Sequence, residues 1–124
     1  MPKHQSRVLV VDDEPSVLAA TSLLLQHAAC QVQTASSGAE ALVLLEKHCF
    51  DLLVTDNRMP VMSGVQLAMA AKKRSPTLPV LMLTAYPPPR PLRCLDEVLV
   101  KPAGLSLLVS SVKRLLTNGS GAVV

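Results

Sequence analysis

The sequence predicts an α/β fold, a doubly wound five-stranded parallel sheet with helices on both faces. Three observations carry this. Short apolar runs rich in valine and leucine, such as Arg7–Val11 and Leu52–Thr55, alternate with longer segments whose apolar residues recur at the helical period. The first run ends in Asp12-Asp13, the third in Asp56 and the last in Lys101-Pro102, so charged groups stand at strand ends, where α/β proteins gather their chemistry. The 124 residues are 49% hydrophobic and 17% charged, which suits one domain with one core and not a disordered chain.

The elements follow in order. Met1–Ser6 is a polar lead-in, and Arg7–Val11 has the unbroken apolar pattern of a strand buried on both faces. Pro15 suits a first helical turn, and Val17, Leu18, Thr21, Leu24 and Leu25 give the stripe of a helix over Pro15–His27. Gln31–Ala35 is the second strand. Ser36 or Ser37 caps the next helix, Gly38–His48, with Glu40 at the third position if Ser37 is the cap. That helix is expected to pack through Ala39, Leu42, Val43 and either Leu45 or the aliphatic stem of Glu46. Phe50–Asp56 is the third strand with its terminal acid, and Asn57–Ser63 is a loop. Ser63 caps a helix over Gly64–Arg74, whose basic end suits the negative pole and which Ser75-Pro76 stops. Pro79–Thr84 is the fourth strand.

Ala85–Pro91 reads AYPPPRP, and proline clashes inside helices, so no full helix fits between Thr84 and Val98. At most a turn forms around Leu92 and Leu95. Val98–Val100 is a short fifth strand. Ala103–Leu116 is the last helix, striped by Leu105, Leu108, Val109, Val112, Leu115 and Leu116, and residues 118–124 read as a flexible tail. The core therefore spans about residues 7–116 of a single domain over 1–124.

Composition narrows the function. The formal charge of +3 is spread along the chain, and stacking aromatics are scarce, which argues against direct nucleic-acid binding. Cys30, Cys49 and Cys94 have no paired spacing and read as reduced cysteines of a cytoplasmic protein, neither disulfides nor a zinc site. No secretory segment is evident, and no apolar run reaches the ~18 residues of a membrane span.

If the strands lie side by side, three carboxylates and one ammonium converge on one rim. Asp12-Asp13, Asp56 followed by Met59-Pro60 and Gly64, Thr84-Ala85 and Lys101-Pro102 together closely resemble the receiver domain of bacterial two-component response regulators, over about Arg7 to Leu116. The resemblance implies a sheet order of 2-1-3-4-5. It implies that Asp56 takes a phosphoryl group from a sensor histidine kinase or phosphotransfer protein. It implies Mg²⁺ held by Asp12, Asp13, Asp56 and the backbone carbonyl of Arg58, a donor set of the hard-oxygen kind this ion prefers. Lys101, the Thr84 hydroxyl and the Ala85 N–H would meet the phosphoryl oxygens, and the Lys101-Pro102 bond is expected in cis. Such a domain phosphorylates and dephosphorylates itself and is not a turnover enzyme. It acts on a downstream protein partner or fused output domain, as a monomer or weak homodimer.

Each residue also has a plainer role: Asp12 and Asp13 as helix caps, Asp56 as a turn acid, Lys101 as a surface lysine. Three departures from the family bear on signalling. Its fourth helix, between strands four and five, is shortened or absent here. Val98 stands three residues before the lysine, where relatives carry Tyr or Phe. Ala103 stands where an aromatic often follows Lys-Pro. These features support an alternative, a phosphorylation-independent pseudo-receiver that serves as a protein interaction module. Arg58 and Tyr86 occupy positions that in the family influence how fast water removes the phosphoryl group.

Overall fold

The computed structural model describes residues 5–119. Five strands form one parallel sheet: β1 (Arg7–Val11), β2 (Gln31–Ala35), β3 (Leu52–Thr55), β4 (Val80–Thr84) and β5 (Glu97–Val100), in the order β2-β1-β3-β4-β5. Four helices join them: α1 (Pro15–His27), α2 (Gly38–Lys47), α3 (Gly64–Arg74) and α4 (Leu105–Gly119). The expected order and parallel pairing are both present.

Strand side chains point alternately to the two faces, and this splits the core in two. Val8, Val10, Leu52, Val54, Leu81, Leu83 and Leu99 pack with Leu25 of α1 and with Leu108, Val112 and Leu115 of α4. Leu9, Val11, Leu53 and Val80 pack with Ala41 of α2 and with Leu67, Ala68 and Ala71 of α3. β1, β3 and β4 lie between both layers, which is why their apolar runs are continuous.

Local chemistry sets the helix ends. The Ser37 hydroxyl accepts from the Glu40 N–H at 3.1 Å, and the Glu40 carboxylate accepts from the Ser36 N–H. Ser63 and Gln66 form a reciprocal capping box at the start of α3. Two expectations change. In α2, Val43 is half exposed and Ala39 is exposed, while Gly38, Ala41, Leu42, Leu44 and Leu45 turn inward. An apolar stripe this wide does not fix which of its edges meets the sheet. Residues 118 and 119 continue α4 instead of belonging to a tail, and residues 120–124 lie outside the described residues.

The proline-rich segment forms no helix. Leu92–Leu95 makes a single turn, closed by the Leu95 N–H to the Leu92 carbonyl at 3.1 Å. Its end is pinned by Asp96, whose carboxylate accepts from the Val80 N–H and the Lys72 ammonium, each at 2.7 Å. Leu95 and Cys94 pack against the α3-side core.

Candidate functional site

Register builds the site. Val11 is the cross-strand partner of Thr55, so Asp12 and Asp56 leave adjacent strands side by side. Thr84 pairs with Val100, so Lys101 leaves the sheet beside Thr84. The Asp56 N–H donates to the Val11 carbonyl at 3.0 Å and the Lys101 N–H to the Thr84 carbonyl at 2.8 Å, which extends the ladder one residue beyond the strands. The Lys101-Pro102 bond is cis, as expected.

Asp12, Asp13 and Asp56 each offer a carboxylate oxygen within 4.8 Å of the others. Asp12 and Asp56 are only 4% and 8% exposed, so their charges need compensation. The Lys101 ammonium supplies it, 2.9 Å from Asp12 and 3.4 Å from Asp56. The lysine therefore lies closer to the first-strand acid than to Asp56. Burial pushes the Lys101 pKa down, but the hydrogen bond and charge of Asp12, with those of Asp56, outweigh it and leave the pKa above its ordinary value. The remaining oxygens are held from the backbone. The Glu14 N–H donates to Asp12 Oδ1 at 3.0 Å, and the Asn57 N–H to Asp56 Oδ1 at 2.6 Å. Asp13 is more open to solvent than the other two acids and has no hydrogen bond or ion pair among the described residues.

Three close carboxylates with one partner lysine leave excess negative charge. The donors are hard oxygens on a rigid sheet edge, and one acid is free and solvent-facing. That set fits a divalent oxygen-seeking cation.

Gly64 fixes the loop after Asp56. Its N–H donates to the Asn57 carbonyl at 2.7 Å. A β-carbon there would overlap the Asp56 carbonyl oxygen and lie 2.8 Å from its carbonyl carbon, so only glycine lets α3 start this close to the acid. Val61, at the loop tip, is fully exposed with φ 71°, a left-handed conformation that β-branched residues rarely adopt.

The sequence reading missed a second layer. The Thr84 hydroxyl accepts from the Tyr86 N–H at 3.0 Å. Asn57 Nδ2 donates to the Tyr86 carbonyl at 2.9 Å. The Arg58 guanidinium lies over the Tyr86 ring, 4.1 Å from its centroid, a contact worth about 0.5–1 kcal/mol at an exposed site. Tyr86 thus ties the loop after Asp56 to the loop after Thr84. The sequence named Arg58 and Tyr86 as positions that bear on loss of the phosphoryl group in the family, but their contact with each other was signalled only by both standing two positions past a strand-end polar group. Ala85, just beyond β4, is exposed. Val98 pairs with Met82 on β4 and is half buried, with no ring to move.

A family profile described as the response regulator receiver domain matches residues 8–113. The transcriptional regulatory protein GlrR of Escherichia coli is 40% identical over 86 residues, which is 69% of this chain and 19% of GlrR. The transcriptional regulatory protein PrrA of Mycobacterium tuberculosis is 38% identical over 115 residues, 89% of this chain and 49% of PrrA. The chain thus spans from about a fifth to about half the length of these relatives. Among solved structures, the Thermotoga maritima response regulator TrrA in complex with Mg²⁺ and BeF superposes with a TM-score of 0.84 at 34% identity, covering 90% of this chain and 99% of that one. A receiver domain protein from Methanospirillum hungatei gives 0.87 at 26% identity, covering 94% and 98%. Among the described residues, no helix is long and apolar enough to cross a membrane.

Proposed function

The chain belongs to the response regulator receiver domain family and is a phosphoacceptor signalling domain; on that premise, we propose that Asp56 is its acceptor, with Asp12, Asp13, Lys101, Thr84, Ala85 and the Arg58 carbonyl serving it. A single observation supports this most: Lys101 bridges Asp12 and Asp56 on the rim where Asp13 stands free.

The reaction is a displacement at phosphorus. An Asp56 carboxylate oxygen forms a P–O bond with the phosphoryl group of a phosphohistidine on a sensor kinase or phosphotransfer protein. The P–N bond breaks, and its electron pair returns to the imidazole, which takes up a proton. Little covalent chemistry is asked of the protein beyond positioning and charge compensation. The Lys101 ammonium, already between the two buried acids, donates to one phosphoryl oxygen. The Thr84 hydroxyl and the Ala85 N–H donate to others. Asp12, Asp13, Asp56 and the Arg58 carbonyl would hold Mg²⁺, which when bound offsets the charge on the transferring oxygens. Water reverses the modification by attack at phosphorus, with Asp56 as leaving group.

GlrR and PrrA are transcriptional regulatory proteins of which this chain matches only part, which supports a receiver read by a further, fused or separate, partner. We assign this chain the same place, a single-domain switch over residues 1–124 read by a fused or separate partner. Three cysteines without disulfide bonds suit the reducing cytoplasm.

Incubation with Mg²⁺ and acetyl phosphate, read by intact mass, tests the assignment. The wild type should gain one phosphoryl group and Asp56→Asn none. An adduct that survives Asp56→Asn, or no adduct under saturating donor, overturns it.

A further inference from the structure

We propose that the Arg58 side chain is a two-position switch, stacked on Tyr86 in the unmodified domain and turned onto the phosphoryl group once Asp56 carries one. The inference rests on the assignment of Asp56 as acceptor.

Three observations carry it. Arg58 is exposed, has no carboxylate partner among the described residues, and lies over the Tyr86 ring at 4.1 Å from its centroid. It stands two residues after Asp56, on the loop whose start is fixed by the Asn57 N–H to Asp56 Oδ1. Its ring partner stands two residues after Thr84, with its backbone held on both sides, by the Thr84 hydroxyl at 3.0 Å and by Asn57 Nδ2 at 2.9 Å.

Relative strength decides the direction. A guanidinium over an exposed ring is a weak contact, held by the ring quadrupole through solvent. A phosphoryl group brings close to two negative charges and three strong acceptors, and the planar guanidinium fork matches two of them at once. Phosphorylation therefore places a stronger partner on Asp56, two residues before the same side chain. Lys101, whose ammonium already serves Asp12 at 2.9 Å, would not balance the site even with a bound Mg²⁺, because Asp12, Asp13 and the phosphoryl group together bring close to four negative charges against their three positive ones.

The consequence falls on the proline-rich segment. Tyr86 immediately precedes Pro87-Pro88-Pro89. When Arg58 leaves, the ring loses its cover while the backbone ties at Thr84 and Asn57 remain. The change is thus confined to the ring face and to the start of that segment. It needs neither a ring at position 98 nor a helix between β4 and β5.

Tyr86 is the only tyrosine and the chain has no tryptophan, so intrinsic fluorescence excited as tyrosine reports this ring alone. The test measures quenching by neutral acrylamide with and without Mg²⁺ and acetyl phosphate, with intact mass taken on the same samples. In the wild type the quenching constant should rise about twofold on phosphorylation as the guanidinium leaves the ring. In Arg58→Gln it should already be high and should not change further when the adduct forms. An adduct with an unchanged constant in the wild type overturns the switch and leaves Asp56 as acceptor. An equal rise in Arg58→Gln also overturns it, because the change would not pass through Arg58. Absence of any adduct removes the assignment of Asp56 and the switch together.

Discussion

Lys101 carries the electrostatics of the site. Its ammonium stands between two carboxylates that are almost fully buried, and removing it leaves both without a counter-ion. In metal-free buffer, Lys101→Met should cost about 3 kcal/mol at pH 7, the low end for breaking a buried pair, since the rim stays open to water at Asp13. The pH dependence follows from the direction of its shift. The folded-state pKa lies above the ordinary value of 10.5, so folding is favoured by proton binding. This contribution is complete below the unfolded pKa and is lost as pH rises through the higher folded value. The difference between wild type and Lys101→Met in urea unfolding should therefore be flat from pH 7 to about 10 and narrow only above that. A gap that closes between pH 7 and 9 would show that the pairing is not what the variant removes.

Among the elements, the loop from Asp56 into α3 is the most constrained. Gly64→Ala must displace the backbone of Asp56 or Asn57, because neither clashing atom belongs to a flexible side chain. The cost should reach about 3 kcal/mol, the upper range for overpacking, and phosphorylation should fall with it because the moved backbone carries the acceptor. At the same loop's tip the opposite holds. Val61 is strained at φ 71° and has no burial to lose. Val61→Asn should stabilise the domain by about 1 kcal/mol, since Asn tolerates the left-handed region. Both are read by chemical denaturation, with the Gly64→Ala loss of phosphorylation resting on Asp56 as the proposed acceptor, and an unchanged Val61→Asn midpoint would deny the strain.

For the whole molecule, the two-layered core and the acidic rim make opposite demands. The sheet is buried on both faces and holds the three acids close together regardless of their repulsion. A cation that binds only this folded arrangement should raise stability, by about 2.7 kcal/mol at a hundredfold excess over its Kd. The melting temperature should therefore climb with Mg²⁺ concentration in the wild type. In Asp13→Asn it should not, while the metal-free melting temperature should rise slightly, because one of three close, repelling carboxylates is removed and no protein partner among the described residues is lost. Equal Mg²⁺ responses in both would place the cation elsewhere.

The sequence by itself determined the alternation of strands and helices, their limits to within a few residues, the cap at Ser63, the choice of Ser36 or Ser37 as the cap of α2, and the absence of a helix over Ala85–Pro91. Each of these is written in a few consecutive residues, as periodicity, a hydroxyl before a helix, or missing amide donors. It also supplied the residues that meet at the rim, because strand ends in a parallel sheet share one edge. Tertiary structure alone decided which face α2 buries, that Lys101 lies nearer Asp12 than Asp56, that Asp96 pins the proline-rich turn to β4, and that Arg58 covers Tyr86. These contacts join residues that are distant in the chain or free to choose among several partners. No local pattern ranks such partners; only the sheet register and the space left around it do.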